Sequence, residues 1–168
     1  MKTDRTTKAV IGIIVFLGLG SPQAGMALQE GSGDCSLDSP EACRVQTEAG
    51  DTSAQSTLGY AYSTGIGVPE DDAEAVRWYR MAAEQGSADA QSNLGVMYAN
   101  GEGVVQDDAR AYLWFNLAVA ASQGDDRARR VEARDRAAAN LSPADRAAAQ
   151  RLATRCQASD FKDCGEPE

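Results

Sequence analysis

The stretch "YSTGIGVPEDDAEA" at residues 62–75 recurs as "YANGEGVVQDDARA" at residues 98–111, and this recurrence is the main indication of the fold. When the sequence from residue 50 is shifted by 36 positions, 16 of 36 positions are identical. A period of this length is typical of stacked helix–turn–helix units, which bury their apolar faces against neighbouring units. The recurrence therefore predicts an all-α repeat protein.

Small and apolar residues recur within each unit at the spacing of a helix. Ala54, Leu58 and Tyr62 form one stripe, and Trp78 and Ala82 belong to a second. No stretch alternates with the period of two that a half-buried strand would show. We predict helices near residues 53–64, 72–85, 89–100, 108–121, 126–140 and 143–156.

The repeated Gly-x-Gly-Val loop with its two aspartates could be a ligand loop or a turn. A calcium loop needs oxygen ligands at alternating positions, and a phosphate loop needs a lysine; neither pattern is present. As a turn, Gly65 would end the first helix in a left-handed conformation, and Gly67 would allow a second unusual backbone angle. Asp71 would cap the next helix, with Glu74 completing a capping box, and Asp107 would cap its equivalent. We interpret the loop as a turn and predict no metal and no cofactor.

The pattern of each unit resembles the Sel-one-like repeat (SLR) family, which is related to the tetratricopeptide repeats. The first unit matches the family pattern at these positions: Ala54, Leu58, Gly59, Tyr62, Gly65, Gly67, Val68, Asp71, Ala75, Trp78, Ala82, Ala83 and Gly86. The second unit matches from Ala90 through Trp114 and Ala118, and its closing glycine, Gly124, comes two positions late. The resemblance implies a right-handed α-solenoid of about two full repeats plus capping helices, which usually serves as a scaffold for protein contacts.

Both ends of the chain differ from a full repeat. The segment "SPEACRVQTEAG" at 39–50 aligns with the second helix of a unit, although Ala42 stands where Trp78 would be. The segment at 122–153 resembles the closing helix pair of bacterial members of the family. The predicted organisation is a signal peptide at 1–27, a linker and capping helix at 28–46, two repeats at 47–124, a C-terminal helix pair at 125–157 and a tail at 158–168.

The first residues have the order of a secretory signal peptide. Basic residues precede an apolar run at 9–20, and the small residues Gly25 and Ala27 follow at the positions that a signal peptidase reads. The apolar run is shorter than the roughly 20 residues that span a bilayer. We therefore predict cleavage near Ala27, no stable membrane insertion afterwards, and a periplasmic or secreted location in a bacterium.

Four cysteines lie beyond residue 27, in two C-x7-C pairs. An even number of cysteines in an exported chain suggests disulfides, and this spacing differs from that of structural zinc sites. The Cα atoms of a disulfide lie within about 7 Å, whereas the two ends of an open helical stack are much farther apart. We predict the pairs Cys35–Cys43 and Cys156–Cys164.

Charge and composition limit the possible functions. The chain carries a formal net charge of −9, and the acidic residues are concentrated before residue 109, which disfavours binding to nucleic acid. It contains no histidine, and Lys162, in the tail, is the one lysine after residue 27. We therefore predict a protein that is not an enzyme. One alternative is a hydrolase of the penicillin-hydrolysing type attributed to cysteine-rich SLR relatives; another is a structural component of an envelope assembly.

The predicted function is an exported adaptor or regulator that binds another protein or peptide. In the related tetratricopeptide solenoids, one side of the first helix of each unit faces away from its packing stripe and lines the concave groove. Here, helical spacing assigns that side to seven candidate contact residues: Ser53, Ser56, Tyr60, Ser63, Asp89, Ser92 and Val96.

The helix predicted at 126–140 carries an arginine set, Arg127, Arg130 and Arg134. We interpret this set as a polar face that caps the end of the solenoid. The alternative is a basic patch for an acidic partner.

Overall fold

The computed structural model describes residues 35, 40–162 and 164, and all regular structure in this part of the chain is helical. The predicted all-α fold is confirmed. The helices of the described residues are α1 (Pro40–Glu48), α2 (Thr52–Thr64), α3 (Asp72–Ala83), α4 (Ala88–Asn100), α5 (Asp108–Ala120), α6 (Gly124–Ala139) and α7 (Pro143–Ala158). The predicted signal peptide lies outside the described residues. None of the helices in the described part is long and apolar enough to cross a membrane.

The helices stack in chain order, each of α1 to α5 packing on the next, and form an α-solenoid. The core consists of small residues that bring helices close together and of larger side chains that fill the remaining space. The larger ones are leucines, such as Leu58, Leu94 and Leu117, and aromatic residues, such as Tyr79 and Trp114. Leu58 and Leu94 are separated by one repeat, and both are buried in the core. Equivalent residues of the two units therefore occupy equivalent places. The apolar periodicity of the sequence thus becomes one continuous core.

The repeated loop is a turn between two helices. Gly65 and Gly101 end α2 and α4 with φ angles of 69° and 77°, the left-handed conformation that glycine adopts most easily. Asp71 accepts hydrogen bonds from the N–H groups of Ala73 and Glu74, and Asp107 caps α5 in the same way. The predicted N-caps are therefore confirmed.

The predicted capping box is wrong in its second half. A capping box requires the side chain of Glu74 to accept the N–H of Asp71. In the structure, the Asp71 N–H instead donates to the carbonyl oxygen of Tyr62 at 2.9 Å, and the Glu74 carboxylate pairs with Arg77 at 2.8 Å. This backbone bond closes the loop and uses the N–H group of Asp71. That group is therefore not available to the side chain of Glu74.

Helix α1 takes the place of the second helix of a preceding unit. Arg44 on α1 donates to the hydroxyl of Tyr62 at 3.1 Å, and Arg80 on α3 donates to the hydroxyl of Tyr98 at 2.6 Å. Both members of the first pair lie 36 residues before those of the second. The interhelix contact of the repeat therefore begins with α1.

The regular order ends after α5. Helices α6 and α7 both pack against α5, and they make little contact with each other. Ser142 caps α7 as its sequence indicates, accepting the N–H of Asp145 at 3.1 Å. The closing segment thus places its two helices on α5 rather than forming one more helix pair.

The structure places each predicted cysteine pair at disulfide distance. The Cα atoms of Cys35 and Cys43 are 4.4 Å apart, as are those of Cys156 and Cys164. The first pair attaches α1 to the segment before it, and the second attaches α7 to the tail. Cys43 and Cys156 are both buried.

Candidate interaction surface

The seven candidate contact residues share one side of two neighbouring helices. They are spaced by three or four residues along α2 and α4, which pack against each other. We call this surface the A face. Its exposed members are Ser53, Tyr60, Asp89 and Val96, and its half-buried members are Ser56, Ser63 and Ser92.

Tyr60 and Val96 are the large apolar side chains of the A face. They occupy equivalent positions in the two units and are 44% and 41% exposed. An apolar side chain left open to water at the same place in successive units has no role in the core of the solenoid. These two residues are therefore the candidate anchors for a partner.

Ser63 has a structural partner that the sequence analysis did not identify. Its hydroxyl donates to the carbonyl oxygen of Tyr60, and its oxygen lies 3.3 Å from the Tyr79 hydroxyl. The two hydroxyls share this hydrogen bond, and either of them can donate it. Burial of Tyr79 raises the pKa of its hydroxyl above the ordinary value.

The second unit replaces this hydroxyl pair by an apolar pair. One repeat after Ser63 and Tyr79 stand Ala99 and Phe115, neither of which carries a hydroxyl. The two positions change together because a buried tyrosine hydroxyl without a partner would be costly. A comparison of the two units at these positions could have revealed the contact from sequence.

Asp89 is partly neutralised in the structure. It forms an ion pair with Arg130 of α6, whose guanidinium also donates to the Ser122 hydroxyl. The Arg130 side chain is 12% exposed, whereas that of Asp89 is 79% exposed. The A face therefore carries little net charge at this point.

The three arginines of the set predicted on α6 each make a specific contact within the structure. Arg127 donates to the carbonyl oxygen of Val119 at 2.6 Å, eight residues before it, as Gln91 does to Ala83 at 3.1 Å. Arg127 lies one repeat after Gln91, so it is the second copy of a helix-joining contact. A cation there also suits the negative end of α5. Arg130 joins α6 to α4, and Arg134 binds the neighbouring Asp135.

Two open clefts border the A face. One, of about 540 Å³, is lined by Ser53, Ser56 and Asp89 together with the α3–α4 turn. The other, of about 420 Å³, lies between Val96 on α4 and Arg136 on α6. Among residues 35, 40–162 and 164, no group of three His, Cys, Asp or Glu is placed to hold a metal ion. The A face can therefore contact a partner through the hydroxyl groups of its serines and through two large side chains, Tyr60 and Val96.

Helix pairs of constant length stacked in this way define a helical repeat solenoid. The Sel1 repeat family matches residues 52–87 and 88–125, which coincide with α2–α3 and α4–α5 and their connections. The chain therefore contains two Sel1, or SLR, repeats.

Two solved structures of SLR or Sel1 repeat proteins are similar to this chain. The crystal structure of c5321, a protective antigen of uropathogenic Escherichia coli with an SLR fold, superposes with a TM-score of 0.66 at 31% identity over 74% of this chain. A Sel1 repeat protein from Oxalobacter formigenes gives a TM-score of 0.43 at 37% identity over 50% of this chain. The matches span 27% and 31% of those two chains, respectively. No curated protein matches the chain.

Proposed function

We propose that this protein is an exported, non-catalytic adaptor that binds another protein or peptide through the A face. The observation that carries the proposal is the exposure of Tyr60 and Val96 at equivalent positions of α2 and α4. Sel1 repeats generally mediate protein interactions. Tyrosine is enriched in protein interfaces because it combines a large apolar ring with a hydrogen-bonding hydroxyl.

The polar part of the A face favours a partner of low charge. Serines supply most of its hydrogen-bonding groups, and the carboxylate of Asp89 is paired with Arg130. A strongly charged partner would find little here to complement it. We therefore expect an apolar or aromatic segment of the partner to lie across Tyr60 and Val96, with polar contacts at the serines.

Three observations support export. The sequence of 1–27 has the order of a signal peptide, and the cysteines form two local pairs at disulfide distance. The structurally similar c5321 is a protective antigen. Mass spectrometry of the protein from its source cells tests this part: a mature chain that begins near Leu28 supports export, and an intact chain beginning at Met1 in the cytoplasm contradicts it.

A paired capture experiment tests the A face. The oxidised protein is immobilised and exposed to an extract of the extracytoplasmic fraction of the source cells. We expect a partner to be retained by the wild type and lost from a variant with both Tyr60→Asp and Val96→Asp. Val105→Asp is the matched control, because Val105 is 87% exposed but lies in the α4–α5 loop. Equal loss with the control, or undiminished capture by the double variant, would contradict the proposed surface.

The same purified protein tests the non-catalytic part of the proposal. Incubation with the chromogenic β-lactam nitrocefin should give no hydrolysis above the rate in buffer. Turnover that scales with protein concentration and survives further purification would instead support the penicillin-hydrolysing alternative.

A further inference from the structure

Another cleft, separate from the two that border the A face, lies on the opposite set of helices, among α3, α5, α7 and the tail. We call it the B cleft; its volume is about 650 Å³, within the range of ligand-binding pockets. Its apolar wall includes Leu113 and Trp114 of α5, Leu152 of α7 and Phe161 of the tail. The cleft exists because α7 packs on α5 rather than continuing the regular order of helices.

The tail that forms one wall of the B cleft has a defined conformation. After α7, Asp160 and Phe161 have φ angles of 54° and 60°, a left-handed conformation that is uncommon for an aromatic residue. The Phe161 N–H donates to the carbonyl oxygen of Cys156 at 2.9 Å, and Cys164 lies at disulfide distance from Cys156. The cross-link and this turn hold Phe161 against the helices.

Gly86 receives the Phe161 ring at the α3–α4 turn. A Cβ atom added to Gly86 would lie 3.2 Å from Cε2 of Phe161, so any larger residue would crowd the ring. Gly86 also has a φ angle of 86°, which favours glycine on its own. The Phe161 ring of the tail therefore packs against a position where glycine leaves room for it.

The B cleft carries an excess of positive charge in a chain whose net charge is −9. Arg80 and Arg110 converge on Tyr98: the first donates to its hydroxyl, and the guanidinium carbon of the second lies 5.6 Å from its ring centroid. Lys162 adds a third cation, against Glu84 in the lining and Asp107, which pairs with Arg110 at 3.4 Å. Such a cleft attracts carboxylates.

The cleft is elongated. Arg110, Leu113 and Leu152 also line a recess of about 500 Å³ that continues along α7. Besides the shared Arg110, two arginines and three aspartates line this recess, so the positive excess is confined to the end near the tail. A long cleft with one positive end and an apolar middle suits an extended chain better than a compact molecule.

We propose that the B cleft binds an extended acidic segment of a partner protein. Carboxylates of the segment lie near Arg80, Arg110 and Lys162, and an apolar side chain packs between Leu113 and Leu152. This site is separate from the A face and does not depend on the adaptor proposal. The disulfide of the tail then has a role in binding, because it holds the wall that Phe161 forms.

Titration calorimetry with the peptide DELED and its neutral counterpart NQLQN tests the proposal. DELED should bind the oxidised protein at least tenfold more tightly than NQLQN, and the affinity should fall as salt is raised from about 50 to 500 mM, because charge attraction is screened. Lys162→Glu should weaken binding of DELED about three- to tenfold. Arg129→Glu is the matched control: it makes the same charge change on α6, where the side chain is 77% exposed, and should have less than a twofold effect.

Further variants test the wall of the B cleft that the tail forms with Phe161. Phe161→Ala and selective loss of the second disulfide, by Cys156→Ser with Cys164→Ser, should each weaken binding at least fivefold. Loss of the first pair, by Cys35→Ser with Cys43→Ser, should leave binding within twofold, as should Tyr60→Asp with Val96→Asp.

Three results would overturn the proposal. The first is equal affinity for the two peptides, and the second is an equal effect of Lys162→Glu and Arg129→Glu. The third is no binding of DELED either to the wild type or to a chain ending at Cys164, in which Glu166 and Glu168 cannot compete with the peptide.

Discussion

Gly59 of α2 lies directly against the ring of Tyr79 of α3. A Cβ atom added to Gly59 would lie 2.6 Å from Cδ1 of Tyr79, closer than real Cβ contacts. One repeat later, a Cβ atom on Gly95 would lie 2.9 Å from Cδ1 of Phe115. Each glycine sits in the middle of a helix, where it costs about 1 kcal/mol relative to alanine. The close approach of the two helices in each unit outweighs that cost.

Replacing these glycines should therefore destabilise the protein. Gly59→Ala and Gly95→Ala gain helix propensity but force an aromatic ring to move, which costs about 1–3 kcal/mol in a packed core. We expect a net loss in the free energy of unfolding, measured by urea denaturation, with the larger loss at Gly59. Ser53→Ala on the exposed side of α2 is the control and should change stability by less than about 0.5 kcal/mol. A stabilised Gly59→Ala protein would contradict this account.

Gly103 and Gly124 have similar backbone conformations in different surroundings. Their φ angles are 65° and 59°, but a Cβ atom on Gly103 would overlap with the carbonyl group of Asp72, whereas Gly124 faces open space. Alanine at either site adopts an unfavourable left-handed conformation at a cost of about 1–2 kcal/mol. Gly103→Ala should cost clearly more in urea denaturation than Gly124→Ala. Equal costs would show that the loop is not held against α3.

The repeat allowed much of this structure to be predicted. A side chain that recurs every 36 residues indicates a repeated environment, which is why helix bounds such as 89–100 agree closely with Ala88–Asn100. The same alignment contained contacts that sequence analysis missed. The second copy of the Gln91 contact, made by Arg127, is visible in it. So is the paired change from Ser63 and Tyr79 to Ala99 and Phe115.

Features outside the repeat could not be predicted in this way. The position of α7 on α5 depends on the shape of one buried surface, for which the chain contains no second copy. The left-handed turn at Phe161 opposes the usual preference of an aromatic residue and is fixed by packing on Gly86 and by the pairing of Cys156. The B cleft arises from both features and consequently has no signature in the periodic pattern.

The buried hydroxyl of Tyr79 should make stability depend on pH in the alkaline range. Its pKa is raised in the folded protein, mainly because burial disfavours the charged form. As the pH rises above the ordinary tyrosine pKa near 10, the unfolded chain loses this proton while the folded protein retains it. Stability should therefore fall from about pH 10 upward. Tyr79→Phe should reduce that fall in urea denaturation between pH 9 and 11, and an unchanged slope would contradict the assignment.

The two equivalent tryptophans differ in burial, and their substitutions should differ accordingly. Trp114 is 5% exposed within the core, whereas its equivalent Trp78 is half-buried. Trp114→Ala should cost about 3–5 kcal/mol in the free energy of unfolding, as large buried aromatic residues do. Trp78→Ala should cost less. The order of the two values is the test, and a larger cost at Trp78 would contradict it.

The cysteine pairing is the most direct chemical prediction. Cys43 lies in α1 and Cys156 in α7, at the two ends of the stack, and each has its local partner with Cα atoms 4.4 Å apart. Local pairs close short loops, so each should add less than the roughly 3 kcal/mol expected for a loop of 15 residues. Reduction should therefore loosen both ends while the repeats at α2–α5 remain folded, as hydrogen exchange would show. Peptide mapping without reduction should recover Cys35 joined to Cys43 and Cys156 joined to Cys164. A peptide that joins Cys43 to Cys156 would require the two ends of the solenoid to meet and would contradict the open stack.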